Sequence, residues 1–302
     1  MIVRVGIPHR GGKLAFHAFN HGYPAMVSAN AFWNGKEFSL PAASDIEELD
    51  FALDSAGFTA MKLWQARGAQ PGIGGIYPWT YAQYIEFALL IGATWWSQPD
   101  LCCEPQIARN QGEVDFRVNA TATFLEGVLR ILDQWSQAYG SRLQSPMPII
   151  QGWSRDDYLR SLDLMLEVWA RWHSAPPALI GVGSVCRRNL HHARHGLLPI
   201  LSALEVHLPP GSQLHLFGVK GSALSALKMH EFVASVDSMA YDFSARMSAR
   251  VNAVSNTMAH RSAEMTTWMS AAESRLKPIT GDQMRLFGRV NEGQMNSGVF
   301  PL

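Results

Sequence analysis

The feature that most narrows the possible folds is a recurrent alternation of short apolar runs with longer amphipathic stretches. Apolar runs fall at residues 25–31, 49–53, 93–97, 148–150, 179–182, 214–218 and 233–241. Helical spacing of apolar residues falls at 81–91, 120–139, 155–173, 189–204, 221–232 and 255–276. The intervals between strands are too long for hairpins, so the strands are expected to be parallel with helical crossovers. At 302 residues and 33.4 kDa, a closed α/β barrel, a (β/α)8 TIM-type fold, suits the length and the number of units. No glycine-rich dinucleotide fingerprint follows the first strand, which argues against an open nucleotide-binding sheet. Gly72, Gly74 and Gly75 are expected in a turn or mobile lid, within a long segment, 54–79, that crosses the top of the barrel.

Local signals refine this frame. Asn119 suits an N-cap for the helix at 120–139, with Phe124, Val128, Ile131 and Trp135 on one face. Ser154 suits the N-cap of the next helix, where Asp156 and Asp157 fall in the first turn and meet the positive end of the helix dipole. Net charge is +0, so contact with nucleic acid must come from a local basic patch. The N-terminus lacks a long apolar segment, and no stretch reaches the roughly 18 apolar residues of a membrane span. A soluble, cytoplasmic protein without membrane contact is the expectation. Cys102, Cys103 and Cys186 cannot form a disulfide framework and read as reduced thiols.

In a parallel barrel the chemistry sits at the C-terminal ends of the strands. Those ends carry Asp54, Asp100, Gln151 with Gly152, Gly181 with Gly183, Phe217 with Gly218, and Asp237. Three carboxylates, an amide and several glycines on one rim suit a flat polar heterocycle. Each residue also has an ordinary reading. Asp54 before Ser55 can cap a helix, Asp100 after Pro99 can serve a turn, and Phe58 and Phe217 can be core. Asp237 is harder to explain away, because an acid inside an apolar strand is costly to bury without a use.

Leu216-Phe217-Gly218-Val219-Lys220-Gly221-Ser222, a helix, and then Val236-Asp237-Ser238-Met239-Ala240-Tyr241-Asp242-Phe243-Ser244-Ala245-Arg246 resemble the tRNA-guanine transglycosylase superfamily. Members of that family show Leu-Met-Gly-Val-Gly, a helix, and Asp-Met-Phe-Asp before a Pro-Thr-Arg element. The resemblance implies that Asp237 is the nucleophile, with Arg246 at the family's arginine. Asp54-Ser55-Ala56-Gly57-Phe58 is similar to the family's Asp-Ser-Gly-Gly-Tyr/Phe, Ala56 being the departure. It implies Asp54 as general acid and base and Phe58 as a stacking ring. By the same resemblance Asp100 reads the guanine edge, Gln151-Gly152 contacts the base carbonyl, Ile180-Gly181-Val182-Gly183 supplies backbone contacts, and Phe217 with Gly218 closes the other face. The ordered matches cover roughly residues 49–250.

Such an enzyme attacks a sugar C1′ with a carboxylate, expels guanine and holds the nucleic acid covalently. A base reached this way must leave its stack or be unpaired. Arg187 and Arg188, in the basic run 186–195, and Arg246 and Arg250 near the nucleophile are candidates for phosphate contact, a solvated helical face being the plain alternative for the former pair. The tRNA-acting members carry a Cys-x-Cys-x-x-Cys zinc site after the nucleophile, whereas no cysteine follows Cys186 here. No metal and no cofactor are therefore expected, and the zinc subdomain is expected to be absent. The chain resembles the deazaguanine DNA transglycosylases of phages and bacterial modification clusters, which implies exchange of guanine in DNA for a free 7-deazaguanine such as 7-cyano-7-deazaguanine. A zinc-less tRNA enzyme, a base hydrolase and a deazapurine-binding barrel remain the alternatives. Residues 1–302 read as one barrel, with 255–302 as a helical extension that closes the barrel or forms a homodimer.

Overall fold

The computed structural model describes residues 1–40, 46, 48–186 and 188–278. Among these, the strands are β1 (Ile2–Ile7), β2 (Ala25–Ser28), β3 (Phe51–Asp54), β4 (Trp95–Trp96), β5 (Ile149–Ile150), β6 (Leu179–Val182), β7 (Gln213–Leu216) and β8 (Val233–Ser238). The helices are α1 (Lys13–Asn20), α2 (Gly57–Arg67), α3 (Tyr81–Leu90), α4 (Gln111–Tyr139), α5 (Arg155–Ala170), α6 (Leu197–His207), α7 (Leu224–Leu227), α8 (Ala240–Val251) and α9 (Met258–Leu276). All strand pairs are parallel, in the order β4-β3-β2-β1-β8-β7-β6-β5. Chain order therefore runs around a curled sheet whose two ends are β4 and β5.

Closure between those ends is partial. One parallel bridge joins Ser97 to Met147, with Met147 N donating to Trp96 O at 2.8 Å and Gln98 N to Met147 O at 3.1 Å. Beyond it the backbone ladder stops and a side chain takes over: Ile149 N donates to Gln98 Oε1 at 3.1 Å, while Gln98 Nε2 donates to Thr121 O at 2.8 Å. The fold is α/β and TIM-like, with a seam at β4–β5 in place of a continuous ladder.

The short strands are apolar because helices cover them outside and side chains fill the interior, so both faces lose water. Val5, Val27, Leu53, Trp96, Ile150, Val182, Leu216 and Val236 belong to the buried set. Helix starts follow local chemistry. Ser154 caps α5, as expected, and with Asp157 it forms a reciprocal capping box. The 29-residue α4 begins earlier than its apolar face suggested: Asn110 is the N-cap, its Oδ1 accepting from Glu113 N at 3.0 Å. Asn119 lies within the helix and accepts from Arg160 at 3.1 Å. Likewise α6 starts at Leu197, because residues 189–195 are tied into turns by the Asn189 and His192 side chains.

Segment 54–79 is not an unstructured lid. It holds α2 and a tight turn at Ile73–Gly75, in which Ile73 N donates to Trp79 O at 2.9 Å. A Cβ on Gly72 would lie 1.9 Å from Trp79 O, so only glycine lets the two backbones meet. The run expected as one strand at 233–241 ends at Ser238, and Asp242 falls in the first turn of α8, where Arg261 of α9 binds it at 2.7 Å through Nε. The helix expected at 221–232 is one short turn, α7. Helix α9 buries Met265, Met269 and Ala272 and packs against α1, α7 and α8 of its own barrel. The rest of the expected extension, 279–302, lies outside the described residues. Among the described residues no helix is long and apolar enough to cross a membrane.

Candidate active site

Because the strands are parallel, their C-terminal ends share one rim, and the expected residues occupy it. Asp54 is the last residue of β3, Gln151 follows β5, Gly183 follows β6, Phe217 and Gly218 follow β7, and Asp237 is the penultimate residue of β8. Asp100 lies on the loop after β4.

The loop after β3 is shaped by Ala56, which takes φ 69° and ψ 30°, a left-handed conformation that glycine adopts at no steric penalty. The turn lets Asp54 Oδ2 accept from Ala56 N at 3.1 Å and brings Gly57 against Asp100. A Cβ on Gly57 would lie 2.6 Å from Asp100 Oδ1. Phe58 then stands in the first turn of α2, 43% exposed, with the Lys62 ammonium 5.5 Å from its ring centroid.

Asp100 is buried and fully addressed. Ser55 Oγ donates to its Oδ1 at 2.8 Å and Gln151 Nε2 donates to its Oδ2. The Tyr77 hydroxyl holds its backbone from both sides, accepting from Asp100 N at 2.9 Å and donating to Asp100 O at 2.7 Å. Burial pushes the Asp100 carboxyl up to about 6, against the hydrogen bonds from Ser55 and Gln151 and with help from the charge of Glu104. Asp54 is pushed up to about 7, first by burial and then by the charges of Asp100 and Asp237, while the Ala56 amide and the Ser28 hydroxyl act in the opposite sense. The charges of Asp100 and Asp237 thus both reach Asp54, which stands between them electrostatically on the rim.

Gln151 links both halves of the rim. Its Oε1 accepts from Ser184 Oγ at 2.6 Å, and Ser184 Oγ also lies 3.1 Å from Glu104 Oε2. Gly183 is needed beside it, since a Cβ there would lie 2.1 Å from Gln151 Nε2. Gly181 makes room for Phe217, whose ring would be 2.7 Å from an added Cβ, and Gly152 makes room for the start of α5. On the other side, Asp237 Oδ1 accepts from Gly218 N at 2.8 Å and stands 3.4 Å from Nε2 of the fully buried His215.

The basic residues divide. Arg188 is buried and its guanidinium donates to Gly152 O, Trp153 O, Ser184 O and His195 O and to the Tyr158 hydroxyl, lying over the Trp153 ring at 4.1 Å. It clamps the loops after β5 and β6 and offers no free face to a phosphate. Arg246 and Arg250 are exposed on α8, Arg246 paired with Asp242 at 3.4 Å. Arg187 lies outside the described residues. No three His, Cys, Asp or Glu side chains among the described residues gather as a metal-binding group.

Four residues at the rim are not singled out by the sequence, Tyr77, Glu104, Ser184 and His215, and Ser55, part of the Asp54–Phe58 motif, gains its role only from the contact with Asp100. His215 carried the same signal as Asp237, a polar residue inside the apolar run Leu214–Leu216. Ser184, with φ 55°, is marked only by backbone geometry, as is Ala56; both sit beside carboxylate partners. The three carboxylates, the amide that joins two halves of the rim and the two half-buried or exposed rings can grip a planar base and move protons at its edge. Among curated proteins no match is found. A protein family described as DpdA, DeoxyPurine in DNA protein A, matches residues 19–280, a span that contains the whole rim. The chain therefore belongs to the DpdA family, DeoxyPurine in DNA protein A.

Proposed function

We propose that this protein is a base-exchange transglycosylase that replaces guanine in DNA with a 7-deazaguanine, 7-cyano-7-deazaguanine being the type of base expected, through an Asp237-linked intermediate. The single observation that carries the reading is the convergence of Asp54, Asp100 and Asp237 on one rim, with Asp54 pushed up to about 7 by burial and by the other two. Family membership supports DNA as the polymer. In this reading an oxygen of Asp237 attacks C1′ as the bond from C1′ to N9 of guanine breaks, and Asp54 delivers a proton to the departing base. The incoming 7-deazaguanine gives its N9 proton to the Asp54 carboxylate and attacks C1′, releasing Asp237. A group that titrates near neutrality can serve both steps.

Asp100 and Gln151 hold the polar edge of the heterocycle, with Gly152 and the backbone of Gly181, Gly183 and Gly218 close around it. Phe58 and Phe217 flank its faces. Arg246 and Arg250 contact phosphates, which makes binding fall steeply with salt. The test is to incubate the protein with DNA and with tRNA, each with labelled 7-deazaguanine. Label in DNA supports the proposal. Label in tRNA alone keeps the chemistry and removes the DNA assignment, and guanine release without incorporation indicates a hydrolase.

A further inference from the structure

His215 lies on β7 with none of its surface exposed, and its ring is gripped edge-on between Trp95 of β4 and Phe217, at 4.9 and 4.7 Å between centroids. Nδ1 is 2.8 Å from Ser235 Oγ on β8. Nε2 is buried and, among the described residues, has no partner at hydrogen-bond geometry; the Asp237 Oδ1 it faces is 3.4 Å away. An unsatisfied buried N–H is disfavoured by about 1–3 kcal/mol, so a ring fixed in this pose is held for a reason. Arg4 of β1 adds a positive charge nearby and is itself paired with Asp50 at 2.9 Å. Burial holds the imidazole below its usual range, only partly offset by Asp237, which keeps the ring neutral at neutral pH.

A neutral ring has two tautomers. With the proton on Nδ1, the Nε2 lone pair would face a carboxylate oxygen and be repelled. With the proton on Nε2, the N–H points at Asp237 Oδ1 from 3.4 Å, an attractive contact longer than a formed hydrogen bond, and Nδ1 accepts from the Ser235 hydroxyl. Oδ1 also accepts from Gly218 N at 2.8 Å. Two N–H groups therefore converge on one oxygen of Asp237.

We propose that His215 is a positioning residue: as the Nε2–H tautomer that the Asp237 carboxylate selects and the Ser235 hydroxyl accommodates, it holds Oδ1 of Asp237 together with the Gly218 amide and leaves Oδ2 as the oxygen that attacks C1′. The inference rests on the proposed transglycosylase reading for its chemistry, and on the ring's burial and contacts for the tautomer. In the step, an Oδ2 lone pair forms the bond to C1′, the C1′–N9 pair leaves with the base, and the base takes its proton from Asp54. The Nε2–H contact weakens as Oδ1 becomes the ester carbonyl and strengthens again as Asp237 departs as a carboxylate, so its work is to hold Oδ1 in place before attack and to receive the returning charge.

Two measurements test it. In protein labelled with ¹⁵N-histidine, the His215 signal, assigned by its loss in His215→Gln, should report the Nε2–H tautomer at neutral pH and shift in Asp237→Asn. An Nδ1–H tautomer, or indifference to Asp237→Asn, overturns the inference whether or not any exchange is seen. In the second, trapped adduct is timed with DNA. His215→Phe should slow adduct formation about 10- to 100-fold with base affinity unchanged, and His215→Gln, which keeps an N–H, should recover part of the rate. Native-like adduct rates in folded His215→Phe overturn the inference and leave the transglycosylase reading standing. Absence of adduct from the native protein defeats that reading, and the tautomer then decides the inference by itself.

Discussion

Asp54 is held in a state that favours protonation, and its position explains why. It stands half-buried at the end of β3 with Asp100 and Asp237 as neighbours of the same sign, so its carboxyl rises from 3.8 to about 7. A folded-state value above the unfolded one means that the folded chain binds the extra proton between these limits. The associated stability is fully present below about pH 4 and is lost as pH rises through about 7. Asp54→Asn removes this loss, and the variant should gain on the order of 4 kcal/mol over the native chain at pH 8 while matching it near pH 4. Thermal melts of both proteins across that range check it, and parallel curves would contradict it. Gly183 offers a second test at this scale. Gly183→Ala forces a methyl to within 2.1 Å of Gln151 Nε2, so Gln151 must release Asp100. Affinity for the free base, measured by calorimetry, should fall about tenfold or more with adduct chemistry retained, since one charge-assisted hydrogen bond contributes about 1.5–3 kcal/mol.

At the scale of elements, α9 shows how apolar residues alone leave a helix's partner open. Met265, Trp268 and Met269 suit either a dimer face or packing within the chain, and the fold settles two of them inside, against α1, α7 and α8. Met265→Ala with Met269→Ala should lower stability by about 4 kcal/mol or more, read as a shift in denaturation midpoint, because each buried methionine truncated to alanine leaves a cavity. Independence of that midpoint from protein concentration is also expected. The legibility of other elements follows their local chemistry. Strands β3, β5, β6 and β7 are readable because each is a compact, mainly apolar run that ends at or just before a rim residue, and α5 because Ser154 with acids in the next turn announces its start. Strand β1 was missed, since Arg4 interrupts its apolar run; the guanidinium is buried only because Asp50 and two carbonyls receive it. Helix α2 was missed because its two glycine-containing flanks and mixed face resemble a loop, and α8 because Val236 to Tyr241 continues the apolar character of β8 past its true end.

For the whole molecule, the curled parallel sheet is what turns six separated sequence positions into one site, and its seam at β4–β5 lies directly beneath Asp100 and Gln151. Those residues close the rim across the seam where the backbone ladder does not, Gln98 doing the same one layer below. No cysteine follows Cys186 in the sequence, and burial raises the thiols of Cys102 and Cys103 far above their ordinary range, which disfavours the thiolates that zinc requires. Purified protein should carry no stoichiometric zinc by elemental analysis and keep its activity in chelator. One zinc per chain would contradict this and favour tRNA as the polymer.

The covalent intermediate is the central claim, and mass spectrometry of the protein quenched with acid during turnover on DNA tests it most directly. A nucleotide-bearing adduct on the peptide containing Asp237, lost in Asp237→Asn with the fold unchanged by circular dichroism, is the predicted result. Exchange at the native rate by Asp237→Asn, or an adduct on any other residue, would contradict it.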